Sequence, residues 1–248
     1  MRSKVTGFIA CSIVLSIVAE LAILRVNAVR NIASSQSGDI NHVFKVLVAI
    51  GLPIMVTVLV GLAFALIFFR QGKNGTSTTY QINSMPGLEA AWTFIPLAIV
   101  IGVSVFGSVM LEKMVKPNPG EMQINVIAAR YLFQFQYPST GIKSLELVVP
   151  VGQKIHFSLT SVDVVHDFWV YEWGPKEDCI PGMFTELRIT PTEIGNFTVV
   201  CSQLCGPEHT YMTAPVRVLS QSDYDAWVQQ QLAATTPPPT TTMPGMGP

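Results

Sequence analysis

Two periodicities divide the chain. Residues 46–69 are apolar and carry no charge, and residues 90–111 repeat that pattern. At about 1.5 Å of rise per residue, each run is long enough to cross a hydrocarbon core of about 30 Å. Arg70, Gln71, Gly72 and Lys73 stop the first run, and a short Gly/Ser/Thr-rich loop leads to Glu89. Pro53 falls in the first turns of the first run, where it would kink a helix. Trp92 marks one interface of the second. The pattern predicts a transmembrane helical hairpin over residues 43–111. Ahead of it, Arg2 and Lys4 precede another apolar stretch that Glu20 interrupts, with small residues at Val26-Asn27-Ala28. Residues 1–28 read either as a signal peptide or as an additional transmembrane helix whose Glu20 faces a protein neighbour. Residues 25–42 are polar and read as a short external segment.

Pro117, Pro119 and Gly120 end the last helix, and from there the period becomes two. Residues 122–126 alternate, and Tyr131, Phe133, Phe135 and Tyr137 share one face. Residues 145–150, 154–160, 184–190, 196–201 and 216–219 read as further strands, with turn signals at Pro138, Gly152, Pro181-Gly182 and Gly195. Short strands at this spacing imply an antiparallel β-sandwich or barrel over residues 117–233. Ser220 or Ser222 would cap a helix over 223–232. Residues 234–248, rich in Pro, Thr and Met, read as a disordered tail.

Composition sharpens the division. Charged residues are 12% and apolar residues 49% of 248, which fits an anchored protein rather than a soluble one. A net charge of −1 without like-charge runs argues against nucleic acid as a partner. The four cysteines are Cys11, Cys179, Cys201 and Cys205. Cys11 lies in an apolar run, and Cys179 reads as a buried free thiol. His42 and His156 belong to no motif and read as solvated and as a satisfied strand residue, respectively.

The chemistry is concentrated in residues 201–212, which read C-x3-C-x3-H-x2-M. Two thiols in an exported domain could pair as a disulfide. With His209 and Met212 at metal spacing, ligation is the stronger reading, and thiolate with thioether points to copper rather than zinc. His166, in the stretch "SVDVVHDFW", supplies the distant imidazole. One cysteine would complete a blue-copper set of His166, Cys205, His209 and Met212, and Cys201 would then be left over. A second thiolate is what a binuclear site would use. A ligand-bearing loop between the last two strands makes the expected sandwich cupredoxin-like.

This loop resembles the copper A loop of the cytochrome c oxidase subunit II family, C-S-E-x-C-G-x-x-H-x-x-M. The likeness runs through "LTSVDVVHDFWV", "PGMFTELRITPTEIGNFTVVC" and "EAAWTFIP", over roughly residues 43–232. Gln203 replaces the usual glutamate, as in B-type branches of the heme–copper oxidases. The resemblance implies that Cys201 and Cys205 bridge two coppers and that His166 and His209 each cap one. Met212 and the Gln203 backbone carbonyl would be the axial ligands. The family's magnesium ion at the subunit I boundary is not carried over, because a neutral amide is a poorer ligand for a hard cation.

Two further roles are implied by position. Tyr131 stands where the family has a tryptophan that receives electrons, and filling the sandwich is the simpler role for it. Glu89 stands where a family glutamate opens a proton pathway, and complementing the helix dipole is the simpler role there. The implied function is that of subunit II of a heme–copper terminal oxidase, a translocating oxidoreductase. It would take electrons from cytochrome c or a small copper protein and pass them to heme in subunit I. No C-x-x-C-H occurs, so heme is expected only in the partner. The alternatives are the copper A subunit of a nitric oxide reductase and a freestanding membrane-anchored blue-copper carrier. Arg70 and Lys73 set against Arg25, Arg30, Lys113 and Lys116 do not decide the topology. The expected location, a plasma membrane with the copper domain on its external or periplasmic side, therefore rests on the resemblance.

Overall fold

The computed structural model describes residues 2–68 and 84–235. They fall into two compact units, one from Met1–Arg30 with Gly38–Lys116 and the other from Asn31–Ser37 with Pro117–Pro248. The loop after Phe68 and the Pro-rich tail expected over 234–248 lie outside the described residues, apart from the last helical residues of the chain's final helix.

The first unit is helical. Helices α1 (Arg2–Ile23), α2 (Ser35–Phe68) and α3 (Pro86–Val115) are each long and apolar enough to cross a membrane. α1 is a continuous helix with one face against α2. Phe8 packs on Phe64 with ring centroids 5.5 Å apart and passes 3.6 Å from where a Cβ on Gly61 would stand. An ion pair of 2.7 Å joins Asp39 of α2 to Lys113 of α3.

α2 corrects two expectations. It begins at Ser35, so much of the polar segment expected over 25–42 is helical. Ser34 caps it, accepting the Ser37 N–H at 3.0 Å while the Ser37 hydroxyl accepts the Ser34 N–H at 3.2 Å. No proline interrupts residues 35–52, so the helix runs on past the apolar limit. Pro53 consequently lies deep inside the helix rather than in its first turns.

The second unit is a β-sandwich of two five-stranded sheets. The first contains β1 (Met122–Ala129), β2 (Leu132–Tyr137), β3 (Ile142–Ser144), β5 (Ile155–Ser161) and β8 (Thr185–Ile189), in the order β3-β2-β1-β5-β8. The second contains β4 (Leu147–Pro150), β6 (His166–Val170), β7 (Lys176–Cys179), β9 (Gly195–Val200) and β10 (Thr213–Leu219), in the order β4-β10-β9-β6-β7. The sandwich is therefore as expected, although the pairs β1–β5 and β4–β10 run parallel while the others are antiparallel. Alternation places Ile124, Val126, Ala128, Phe133, Phe135 and Tyr137 inward, where Phe168 of the facing sheet meets Phe133 and Phe135. Tyr137 keeps its buried hydroxyl satisfied by donating to the Val148 carbonyl and accepting the Val148 N–H. α4 (Gln221–Thr235) closes one end, with Trp227 on Tyr137 at 5.3 Å. Its cap is Ser220 rather than Ser222, because the Asp223 N–H reaches Ser220 Oγ at 3.2 Å.

Residues 31–37 form a strap on this unit. Ala33 is fully buried, donates its N–H to the Glu172 carbonyl at 3.0 Å and accepts the Thr192 N–H at 2.9 Å. Ser34 donates its hydroxyl to the Trp173 carbonyl at 2.7 Å, and Gln36 Oε1 accepts the Thr190 N–H at 2.9 Å.

Candidate metal centre

The loop from Cys201 to Met212 joins β9 to β10, and the ladder closes its base through Cys201 N–H to the Met212 carbonyl at 3.0 Å. A single 3-10 turn at His209–Tyr211 then folds the loop back. Closure and turn together bring residues 201, 205, 209 and 212 to one point. Gly206 makes the tight return possible. Its φ is +147°, and a Cβ there would stand 2.5 Å from the Tyr131 hydroxyl oxygen. His166 arrives from the neighbouring strand as the first residue of β6.

The six groups singled out by sequence meet. Cys201 Sγ lies 3.7 Å from Cys205 Sγ, beyond disulfide bonding distance, and both thiols are free. Cys201 Sγ is 3.9 Å from His166 Nδ1 and 3.2 Å from the Gln203 carbonyl oxygen. On the other side, Cys205 Sγ is 3.6 Å from His209 Nδ1 and 3.9 Å from Met212 Sδ. Ligand atoms of His166, Cys201 and Cys205 all lie within 4.8 Å of one another. His166 and Met212 are fully buried, His209 is half-buried, and the Gln203 side chain is exposed. Two thiols flanked by two imidazoles, a thioether and a peptide oxygen form a soft donor set, which fits copper. Bound copper would supply one-electron redox chemistry.

The surroundings orient these donors. Asp163 Oδ1 lies 2.8 Å from His166 Nε2, which directs Nδ1 toward the sulfurs. Burial pushes the Asp163 carboxyl up. Hydrogen bonds from His166, the Val164 and Arg130 N–H groups and Ser161 outweigh it and hold the carboxyl well below the usual range. Burial also pushes the Cys205 thiol up to about 11, helped by its hydrogen bond with Cys201. Loading a metal must therefore displace protons from the sulfurs. Asp167, next in β6, is buried and its carboxyl is raised by that burial against the opposing pull of Ser202 and Lys176.

Tyr131 sits in the β1–β2 turn, packs half-buried against the core of the sandwich and also lies against Gly206 of the ligand loop. Glu89 lies in the first turn of α3, where its carboxylate accepts the Met85 N–H at 3.1 Å, a capping role. His156 lies 3.5 Å from Glu186 on β8, and His42 is exposed beside Phe106, so neither joins the centre. Cys179 is a fully buried free thiol opposite His166 in the β6–β7 register. Sequence reasoning missed Asp163 and Arg130. The first had a signal, a carboxylate three residues before a candidate ligand histidine. The second had none, because its contact to the Cys205 carbonyl spans 75 residues of chain.

The family model of the cytochrome c oxidase subunit II transmembrane domain matches residues 24–110, and that of the subunit's periplasmic domain matches residues 143–219. A cytochrome c oxidase subunit 2 of Thermostichus vulcanus is 28% identical over 81% of this chain and 77% of that protein. One of Alkalihalophilus pseudofirmus is 32% identical over 72% of this chain, which spans 56% of that relative's length. The solved periplasmic domain of subunit II of cytochrome oxidase from Bradyrhizobium japonicum is 26% identical, covering 48% of this chain and 99% of that one, at a TM-score of 0.45. With transmembrane and periplasmic parts both matched, the protein is one of the plasma membrane with its β-sandwich outside. The chain belongs to the cytochrome c oxidase subunit II family, a subunit of the heme–copper oxidases.

Proposed function

We propose that this chain receives electrons for a heme–copper oxidase at a binuclear copper centre held by His166, Cys201, Cys205, His209 and Met212 and by the Gln203 carbonyl. The observation that carries this reading is the pair of free, buried thiols 3.7 Å apart with an imidazole nitrogen beside each. A mononuclear blue site needs one thiolate, and here two stand side by side among the other donors. A soluble donor, cytochrome c or a small copper protein, would deliver electrons singly, and heme in subunit I would accept them. His166 comes from β6 and the other ligands from the loop joining its sheet-mates β9 and β10, an anchorage that would hold them in place between oxidation states, as rapid electron transfer requires. Half-burial of His209 leaves one side of the site near the surface, while His166 and Met212 exclude water from the other.

The test is metal content and electron spin resonance on the full-length protein. Two coppers per chain and a mixed-valence signal shared over both nuclei are expected. Replacing Cys201 or Cys205 by serine should abolish that signal. One copper per chain with a single-nucleus spectrum would overturn the binuclear reading.

A further inference from the structure

The β1–β2 turn touches both ligand-bearing loops. Its first residue, Arg130, donates its backbone N–H to Asp163 Oδ2 at 2.9 Å. The other oxygen of that carboxylate is the 2.8 Å partner of His166 Nε2. From the side chain of the same residue, Nε donates to the Cys205 carbonyl oxygen at 2.9 Å. Tyr131, the next residue, lies against Gly206. One arginine thus connects the His166 loop and the cysteine loop, each through a group that holds or carries a sulfur or imidazole donor.

We propose that Arg130 is a positioning residue of the metal centre: it pins the Cys205 loop to the His166 loop, and its guanidinium raises the reduction potential of the metal held there. The inference rests on the copper reading above. A hydrogen bond from a charged donor is stronger than a neutral one, and the planar guanidinium fixes its direction, so the Cys205 peptide is restrained in orientation. Arginine remains protonated throughout the accessible pH range. A fixed cation beside an electron-accepting site favours the state that has gained the electron. The Asp163 carboxylate accepts from the Arg130 N–H and is paired with His166. Removing the guanidinium leaves that negative charge in place and takes away the cation. Arg130 is exposed, so salt screens the through-space part of its effect but leaves the hydrogen bond in place.

The experiment compares wild type, Arg130→Lys and Arg130→Gln in the full-length, copper-loaded protein purified with its native membrane partners. Copper per chain, the rate of copper release to a chelator and the reduction potential at low and high salt are measured. Arg130→Gln should release copper faster and lose about tenfold in its one-electron equilibrium with a fixed redox partner, about 59 mV. The potential difference should shrink at high salt. Arg130→Lys keeps the charge and loses the rigid fork, so it should release copper faster while its potential stays near wild type. A glutamine variant with wild-type potential and wild-type release overturns the inference. Lysine and glutamine variants with equal, salt-independent losses of potential overturn the charge role, because geometry alone would then explain both. Wild-type protein without copper would instead overturn the metal reading itself, and this inference with it.

Discussion

The proposed donors differ in chemistry and burial, and substitutions should grade accordingly. His209 contributes a main imidazole and His209→Ala should damage the site itself. Met212 is a buried thioether 3.9 Å from Cys205, so Met212→Leu should retain copper and shift the potential. Gln203 approaches through its peptide carbonyl, with its side chain exposed, so Gln203→Ala should keep both coppers and nearly the wild-type spectrum. Copper analysis and spectra of the three variants check this order. Copper lost from Gln203→Ala as fully as from His209→Ala would make the side-chain amide a ligand. Asp163→Asn keeps a partner for His166 but removes the charge that fixes its tautomer, and should weaken metal affinity about 10–100-fold in a competition titration. Gly206→Ala meets both a positive φ and the Tyr131 hydroxyl, and should cost about 1–3 kcal/mol in thermal or denaturant unfolding. Adding Tyr131→Phe should recover part of that loss, since it removes the atom nearest the new Cβ.

At the scale of elements, the strap and the sheet edges matter most. Residues 31–37 lie far from the sandwich in sequence, yet Ala33 fills a fully buried position and the strap satisfies groups at Glu172, Trp173, Thr190 and Thr192. A soluble fragment over 117–235 would leave those groups without these partners. It should melt below the same fragment supplied with residues 31–37 by fusion, as measured by calorimetry; equal melting temperatures would show the strap to be dispensable. Glu121, beside β1, ties Arg188 of β8 and Lys154 into one cluster. Burial pushes its carboxyl up, but the Asn118 N–H and Arg188 outweigh this and lower it. A lowered folded-state value gives stability that is present above the carboxylate's ordinary range and lost as pH falls through the acid region below it. Glu121→Gln should flatten that acid limb in a pH series of unfolding midpoints. Three strands escaped the alternation pattern. β3 is short and lies at a sheet edge, β7 is a charged edge strand, and β6 begins with two buried polar residues, His166 and Asp167.

For the whole molecule, the parity of the hairpin sets the arrangement. With the sandwich outside, the Phe68 end of α2 and the Pro86 end of α3 should lie on the inner side. An impermeant thiol reagent applied from outside should label a cysteine placed at the exposed Leu204 and not one placed at Gly75. Labelling at both positions from outside would contradict the hairpin. α1 packs on α2 through Phe8 and Gly61, so a mature chain that retains Phe8 should crosslink to Gly61→Cys from Phe8→Cys; failure to recover the crosslink would favour cleavage of the first helix.

Sequence alone determined the long helices, most of the strands and the candidate donor residues. Long uncharged runs admit little but membrane helices, alternation admits little but strands, and soft ligands at C-x3-C-x3-H-x2-M spacing restrict the metal, because each is a local consequence of side-chain chemistry. The helix start at Ser35, the parallel pairings of β1 with β5 and β4 with β10, and the strap were decided in three dimensions. So were the contacts that orient the centre. Asp163 meets His166 three residues away, but Arg130 meets Cys205 only because the β1–β2 turn and the β9–β10 loop lie at the same end of the sandwich. Periodicity reports which side of a strand faces inward. It carries no record of which strand lies alongside, because that choice is made by the packing of the two faces against each other.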